Sequence, residues 1–229
     1  AAAKALKAGE IMICENTRFH KEEDMKAKTD EDKAKTADFA KELSKLGEIY
    51  VNDAFGTAHR SHGSTAKICK YIPVSVAGFL MEKEIQYLGQ TVENPKRPFV
   101  AIIGGAKVSD KLEVLKSLIS KCDALLIGGG MAYTFLKAQG HNIGKSLCEE
   151  ELLETAKQIL ADAKAKKVNF MLPVDNLAAD KFDNGAQIKT VGNDIPEGWM
   201  ALDVGPKTAA AYSAEIMKAK TIVWNGPMG

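Results

Sequence analysis

The chain has 229 residues, with 31 basic against 30 acidic side chains for a formal net charge of +1, and is 45% hydrophobic and 27% charged. So even a balance argues against a dedicated nucleic-acid binder or a protein of anionic membrane surfaces, both of which carry a basic excess on some face. No apolar run approaches the ~18 residues of a spanning helix, and the opening AAAKALKAGE has neither the basic region nor the apolar region of a secretory signal. Cys14, Cys69, Cys122 and Cys148 lie far apart, without the paired spacing of a disulfide framework or a zinc site. Reduced thiols in a cytoplasmic protein are the expectation.

In chain order the pattern is strand, loop, helix, repeated. IMICE (11–15) reads as a short buried strand, and ENTRFHKEED (15–24) follows it with Arg18. DEDKAKTADFAKELSKL (30–46) sets Phe39, Leu43 and Leu46 on one helical face before Gly47. EIYVND (48–53) is again strand-like. It runs into NDAFGTAHRSHGST (52–65), where His59 and His62 flank Arg60 among residues of almost no bulk.

The segment from 73 to 94 carries the stripe Met81, Ile85, Leu88 and Val92, which predicts a helix of about four turns in its second half. PKRP (95–98) then breaks the chain. A long helix closed by two prolines is the expected link between two lobes, dividing the chain into 1–76, a linking 77–98 and 99–229. Beyond it FVAIIGG (99–105), ALLIGGG (124–130), VNFMLPVD (168–175) and TIVWNGP (221–227) are apolar runs of strand length. Stripes at Leu112, Leu115, Leu118 and Ile119, and at Leu152, Ala156, Ile159 and Ala163, predict helices between them. Near-continuous apolar strands alternating with helices indicate an α/β fold whose parallel sheet is covered on both faces.

Parallel α/β sheets bind ligands at the carboxyl ends of their strands, and there this sequence reads GGAK (104–107), GGGMA (128–132) and NGPMG (225–229). Glycine lets the backbone approach a ligand, and a helix start offers free N–H groups to phosphate. Neither G-x-G-x-x-G nor the Walker pattern is present, which also disfavours a nicotinamide dehydrogenase. In GGAKVSDK (104–111), Ser109 is the expected helix cap, with Lys107 before it and Lys111 in the first turn. Cations at a helix N-terminus oppose the dipole unless an anion lies between. Arg18, Arg60 and Arg97 are the only arginines in a chain that otherwise uses lysine. Arg97 reads as structural, whereas Arg18 and Arg60, each past a strand end, suit bidentate binding of carboxylate or phosphate. His20, His59 and His62 lack the companions of a metal site, and no nucleophile turn accompanies them.

ENTRF, NDAFGTAHR, GGAKVSDK, GGGMAYTF, LPVD and WNGPMG, in this order and at these intervals, resemble the phosphoglycerate kinase family. The resemblance implies two Rossmann-like parallel-sheet lobes joined by a long helix, with reversible in-line phosphoryl transfer on hinge closure. It would link 1,3-bisphosphoglycerate and Mg-ADP with 3-phosphoglycerate and Mg-ATP. Carried over by motif, Arg18 and Arg60 would hold the phosphoglycerate, and Lys107 would neutralise the phosphoryl group in flight. Lys111 would grip the nucleotide phosphates, and Gly105, Ala106, Gly129 and Gly130 would border the nucleotide. Leu202 would face the adenine, Ala201, where many members have Gly, would keep a backbone contact to the nucleotide, and Asn225 and Pro227 would lie near ribose and phosphate. Mg2+ would arrive with ADP or ATP, no metal ligand being assigned in this chain, and the family's habit implies a monomer.

The family's leading D-F-N-V-P-type segment and H-x-G-R-P loop are not in this sequence, nor is its closing G-G-G-[DE]-[ST] turn. The expectation is therefore an internal fragment with both lobes incomplete; the alternative is a short non-catalytic nucleotide-binding paralogue. For the fragment, the 229-residue chain alone should turn over at least ~10³-fold more slowly than an intact enzyme. For the paralogue, Mg-ADP should bind with no ATP formed from 1,3-bisphosphoglycerate, as a coupled ATP assay with ADP titration would distinguish.

Overall fold

A computed structural model describes residues 2–229. Its contacts divide into two compact units, with the boundary between Gly89 and Gln90.

The first unit holds α1 (Ala2–Ala5), α2 (Asp30–Ser44), β1 (Ile49–Asn52), α3 (Phe55–Ala58) and β2 (Val74–Ala77), and α4 (Phe79–Glu93) begins in it. The start of α2 is a reciprocal cap. Thr29 Oγ1 accepts from the Asp32 amide at 3.1 Å, and the Asp32 carboxylate accepts from the Thr29 amide at 3.2 Å. Asp30, Glu31 and Asp32 in the first turn add negative charge where the dipole is positive. The helix stops at Ser44, two residues short of the expected end. β1 and β2 pair in parallel, Ile49 opposite Val74 through Asn52 opposite Ala77.

Residues 11–15 form no strand, contrary to the sequence pattern: Ile11 is 89% and Ile13 93% exposed. A strand exists by its ladder, and among the described residues β1 has only β2 beside it. Apolar alternation without a partner does not hold the extended chain in a sheet. The stripe predicted for the linking helix is also only partly used, since Met81 is buried while Ile85 and Leu88 are exposed.

The second unit contains β3 (Phe99–Ile103), α5 (Leu112–Ile119), β4 (Ala124–Ile127), α6 (Met131–Ala138), α7 (Leu153–Ala165) and β5 (Asn169–Met171). It continues with β6 (Asn176–Ala179), β7 (Ile188–Val191), β8 (Met200–Val204), α8 (Pro206–Ile216) and β9 (Thr221–Asn225). The main sheet is parallel throughout, in the order β5-β4-β3-β9. Every residue of β3 and β4 is buried, and alternation sends successive side chains to opposite faces. Phe99, Ala101, Ile103, Leu125 and Ile127 pack with α5, α6 and α7. Val100, Ile102, Ala124 and Leu126 pack with Tyr212 and Ile216 of α8. Two covered faces explain why these strands read as unbroken apolar runs.

No pattern in the sequence marked the second sheet, an antiparallel trio in the order β7-β6-β8. Its strands are short and polar-interrupted, and Ala178 and Ala201 join a separate cluster with Tyr133, Leu136, Ile143 and Ile195.

Two carboxylates pin the second unit. Asp123 accepts from the Phe99 amide at 2.7 Å and pairs with Arg97 at 2.5 Å, so Arg97 has a structural partner. Asp175 caps α8 from outside the helix: Gly205 at the cap position has no side chain to offer. Asp175 accepts from the amides of Lys207 at 3.0 Å and Thr208 at 2.7 Å, and lies 2.7 Å from the Thr208 hydroxyl. Burial opposes its ionisation, but these donors, the Thr208 hydroxyl foremost, hold the carboxyl below its ordinary value.

A folded-state pKa below the unfolded one contributes stability that is full above the unfolded value and is lost as pH falls through the folded one. Asp175→Asn should therefore lower stability by about 1.5–3 kcal/mol at neutral pH and flatten the acid side of the stability profile. Leu125→Ala, at a fully buried position, should cost about 2–5 kcal/mol at every pH. Urea unfolding followed by tryptophan fluorescence reads this unit alone, because Trp199 and Trp224 both lie in it.

Candidate functional site

The carboxyl ends of β3, β4 and β9 meet backbone to backbone. The Gly104 amide donates to the Asn225 carbonyl at 2.9 Å, the Gly129 amide to Met228 at 2.8 Å, and the Met131 amide to Gly105 at 2.9 Å. Gly129 has φ +70°, and a Cβ there would lie 2.6 Å from the Gly105 carbonyl. A Cβ on Gly104 would lie 1.8 Å from the Pro227 carbonyl. No other residue fits either position.

This junction floors a cavity of about 530 Å³, within the range of small-molecule sites. Of the residues singled out from the sequence, Gly105, Ala106, Gly129, Gly130, Ala201, Leu202 and Pro227 line it. They come from three strand ends and from β8, up to 122 positions apart in the chain (227 minus 105). Among the described residues the amides of Gly105, Ala106 and Gly130 donate to no protein acceptor. They stand as donors beside the first turn of α6, whose dipole is positive there.

Leu202 owes its place to a bulge. Leu177 pairs with Asp203 and Ala178 with Ala201, leaving Leu202 as the extra residue of β8. A bulge re-aims the side chain it carries, and Leu202 lines the cavity. Ala201 is buried behind it, with its amide donating to Ser146 Oγ at 2.9 Å.

Lys107, Lys111 and Asn225 are not lining residues but stand next to them. Lys111 Nζ donates to Asn225 Oδ1 at 2.5 Å, which brings GGAKVSDK and WNGPMG together. Its Cε lies 3.6 Å from the point a Cβ would occupy on Gly105. Lys107 directly follows the lining Ala106, is exposed, and has no hydrogen-bonding or ion-pair partner among the described residues.

Ser109 does not cap a helix, as the sequence had suggested. Its amide and hydroxyl both donate to Glu149, at 3.1 and 2.6 Å. A carboxylate that takes two donors competes better than a helix end. α5 begins instead at Leu112 with Lys111 at its cap position. Burial opposes ionisation of Glu149, but the Ser109 hydroxyl and amide, the Val108 amide and the charge of Lys107 together hold its carboxyl below the ordinary value.

Sequence reasoning missed Tyr133, Lys145, Leu147, Phe182, Met200 and Gly229 on the cavity wall. Tyr133 stood inside GGGMAYTF and could have been read from it. Burial, with the charge of Asp203, raises its hydroxyl well above the usual tyrosine value. Leu147 and Phe182 lie in segments without a period, so nothing in the sequence marked them. All four cysteines are free; burial pushes the Cys122 thiol up to about 11 and raises Cys148, which makes both poor nucleophiles.

Arg18 and Arg60 lie in the first unit. Both are exposed, and neither guanidinium has a hydrogen-bonding or ion-pair partner among the described residues. His59 is likewise exposed, whereas His62 turns inward, its Nδ1 4.0 Å from Glu23 Oε1. The loop therefore does not present its three basic side chains as one cluster.

The family model described as phosphoglycerate kinase matches residues 1–229. The chain is 56% identical to the phosphoglycerate kinase of Prosthecochloris aestuarii, over 99% of this chain and 55% of that protein. It is 57% identical to that of Koribacter versatilis, with the same coverage. The solved phosphoglycerate kinase of Coxiella burnetii matches with TM-score 0.76 and 42% identity, over 98% of this chain and 56% of that one. The Pyrococcus horikoshii structure matches with TM-score 0.71 and 31% identity, over 100% and 58%. The chain spans about half the length of the curated relatives it matches. Its fold, its glycine junction and these matches together place the chain in the phosphoglycerate kinase family.

Proposed function

We propose that this chain carries two binding regions of an enzyme that moves a phosphoryl group reversibly between 1,3-bisphosphoglycerate and Mg-ADP. In this reading residues 1–76 serve phosphoglycerate, 99–229 serve the nucleotide, and 77–98 joins them. The observation that carries it is the cavity at the meeting of three strand ends, with free glycine-turn amides on its floor and Lys107 and Lys111 beside it. Apolar walls suit a nucleobase, while amides and ammonium groups suit phosphate.

Chemically, the bond from phosphorus to the acyl oxygen of 1,3-bisphosphoglycerate breaks as a bond to the terminal oxygen of ADP forms. The carboxylate of 3-phosphoglycerate leaves, and no enzyme nucleophile is needed. Charge spreads over three equatorial oxygens of the group in flight, so catalysis is mainly positioning and electrostatic stabilisation. Lys107, with no competing protein partner, supplies the mobile positive charge. Lys111, held by Asn225, grips the nucleotide phosphates. Leu202 and Ala201 border the adenine, Asn225 and Pro227 the ribose and phosphate, and Arg18 and Arg60 pair with the anionic groups of phosphoglycerate.

Mg2+ enters this scheme as part of the nucleotide. Among the described residues no three His, Cys, Asp or Glu side chains converge as a ligand set, and the amides and ammonium groups beside the cavity floor suit phosphate oxygens. No step is assigned to a protein-held ion. Among the described residues no helix is long and apolar enough to cross a membrane; a monomer of the cytoplasm, binding neither nucleic acid nor membrane, fits the charge balance and the free thiols.

In the full-length enzyme Lys107→Ala should lower kcat by ~10²–10³-fold while changing the Kd for ADP by less than ~5-fold. Steady-state kinetics with calorimetric ADP titration test this, and an equal loss in both would make Lys107 a ground-state binder. Lys111→Ala should show the converse, weakening ADP by ~10-fold with a smaller effect on kcat.

A further inference from the structure

Glu23 is a charged side chain that none of these roles uses, and it is 2% exposed. A buried carboxylate persists only where donors compensate its lost hydration. Its donors come from a loop about forty residues away. The Ser64 amide donates to Oε2 at 2.9 Å, the Ser64 hydroxyl donates to Oε1, and the Gly63 amide donates to the Glu23 carbonyl at 2.8 Å. The fit leaves no slack, because a Cβ on Gly63 would lie 2.7 Å from Glu23 Oε2 and 2.7 Å from the Phe39 ring.

Both ends of this contact lead to an arginine. Toward the N-terminus a run of tight turns connects Glu23 to Arg18. The Glu23 amide donates to His20 at 3.1 Å, the His20 amide to Thr17 at 3.0 Å, and the Arg18 amide to Asn16 Oδ1 at 3.0 Å. On the other side Thr65, next to Ser64, donates its hydroxyl to the Arg60 carbonyl at 2.7 Å. The two arginine-bearing segments, separated in sequence, are thus joined through one carboxylate.

We infer that Glu23 is a positioning residue for phosphoglycerate binding, fixing the turn that bears Arg18 against the loop that bears Arg60. The inference rests on the reading of Arg18 and Arg60 as substrate ligands. Glu23 touches no substrate and acts through the backbones that carry the two guanidiniums. A rigid pair of arginines binds an anion more tightly than a mobile pair, because less ordering is required on binding.

The test uses the full-length enzyme, with KM measured separately for 3-phosphoglycerate and for ATP. Glu23→Gln keeps the size of the side chain but sets an NH2 group against donors that need an acceptor. It should raise the KM for 3-phosphoglycerate by ~10-fold and leave the KM for ATP within ~2-fold. In an Arg60→Ala background the same change should add less than ~2-fold, as for two residues acting through one contact. Should Glu23→Gln fail to fold, Ser64→Ala removes one donor, keeps the carboxylate, and should raise the KM for 3-phosphoglycerate by ~3-fold. If Arg60→Ala alone leaves that KM unchanged, the substrate role of Arg60 falls and the inference falls with it. If Arg60→Ala raises it but Glu23→Gln and Ser64→Ala do not, or the effects multiply in full, only the positioning role is overturned. Equal rises in both KM values would likewise reduce Glu23 to a structural anchor.

Discussion

Backbone packed directly on backbone at the ends of β3, β4 and β9 is the constraint from which the second unit takes its shape. Gly104 and Gly129 stand where any side chain would strike a carbonyl of a neighbouring turn. Three parallel strands can converge that closely only if their exits carry no bulk. The same absence of side chains leaves amides uncovered beside a cavity. The tight junction and the open cavity floor are two results of one steric fact.

That junction needs a rigid support, which the two-sided burial of β3 and β4 provides. One face is held by α5, α6 and α7 and the other by α8. Carboxylates do the remaining fastening, Asp175 and Glu23 from buried positions and Asp123 and Glu149 from partly exposed ones. Asp123 ties Arg97 to the start of β3, Asp175 caps α8, Glu149 holds the turn after Lys107, and Glu23 joins two segments of the first unit. Each accepts donors from residues far away in sequence, where an apolar contact would leave amides without partners. The cationic side chains proposed to meet substrate differ in kind. Lys107, Arg18 and Arg60 are exposed and have no protein partner among the described residues, which leaves their charge available to a ligand.

How much of this the sequence disclosed depended on period and on chain distance. β3, β4 and β9 were legible as apolar runs with glycine after them, and α5 and α7 as stripes at helical spacing. Leu202 was reached only through resemblance to a family, since the bulge that turns it into the cavity is a mismatch between two strands and not a pattern in either. Residues 11–15 misled because a strand-like composition needs a partner strand. Ser109 misled because its best acceptor, Glu149, lies forty residues away. Glu23 looked like one acid among several in a charged stretch.

The sequence by itself determined the class of fold, the glycine turns and the arginines and lysines set apart from the surface charge, because those depend on steric freedom and chemistry carried by each residue. Only the tertiary structure decided which turns meet, which residues wall the cavity and which carboxylates are buried. Those follow from contacts across long stretches of chain, where a donor's partner is chosen by proximity in space and by the cost of leaving either one unpaired.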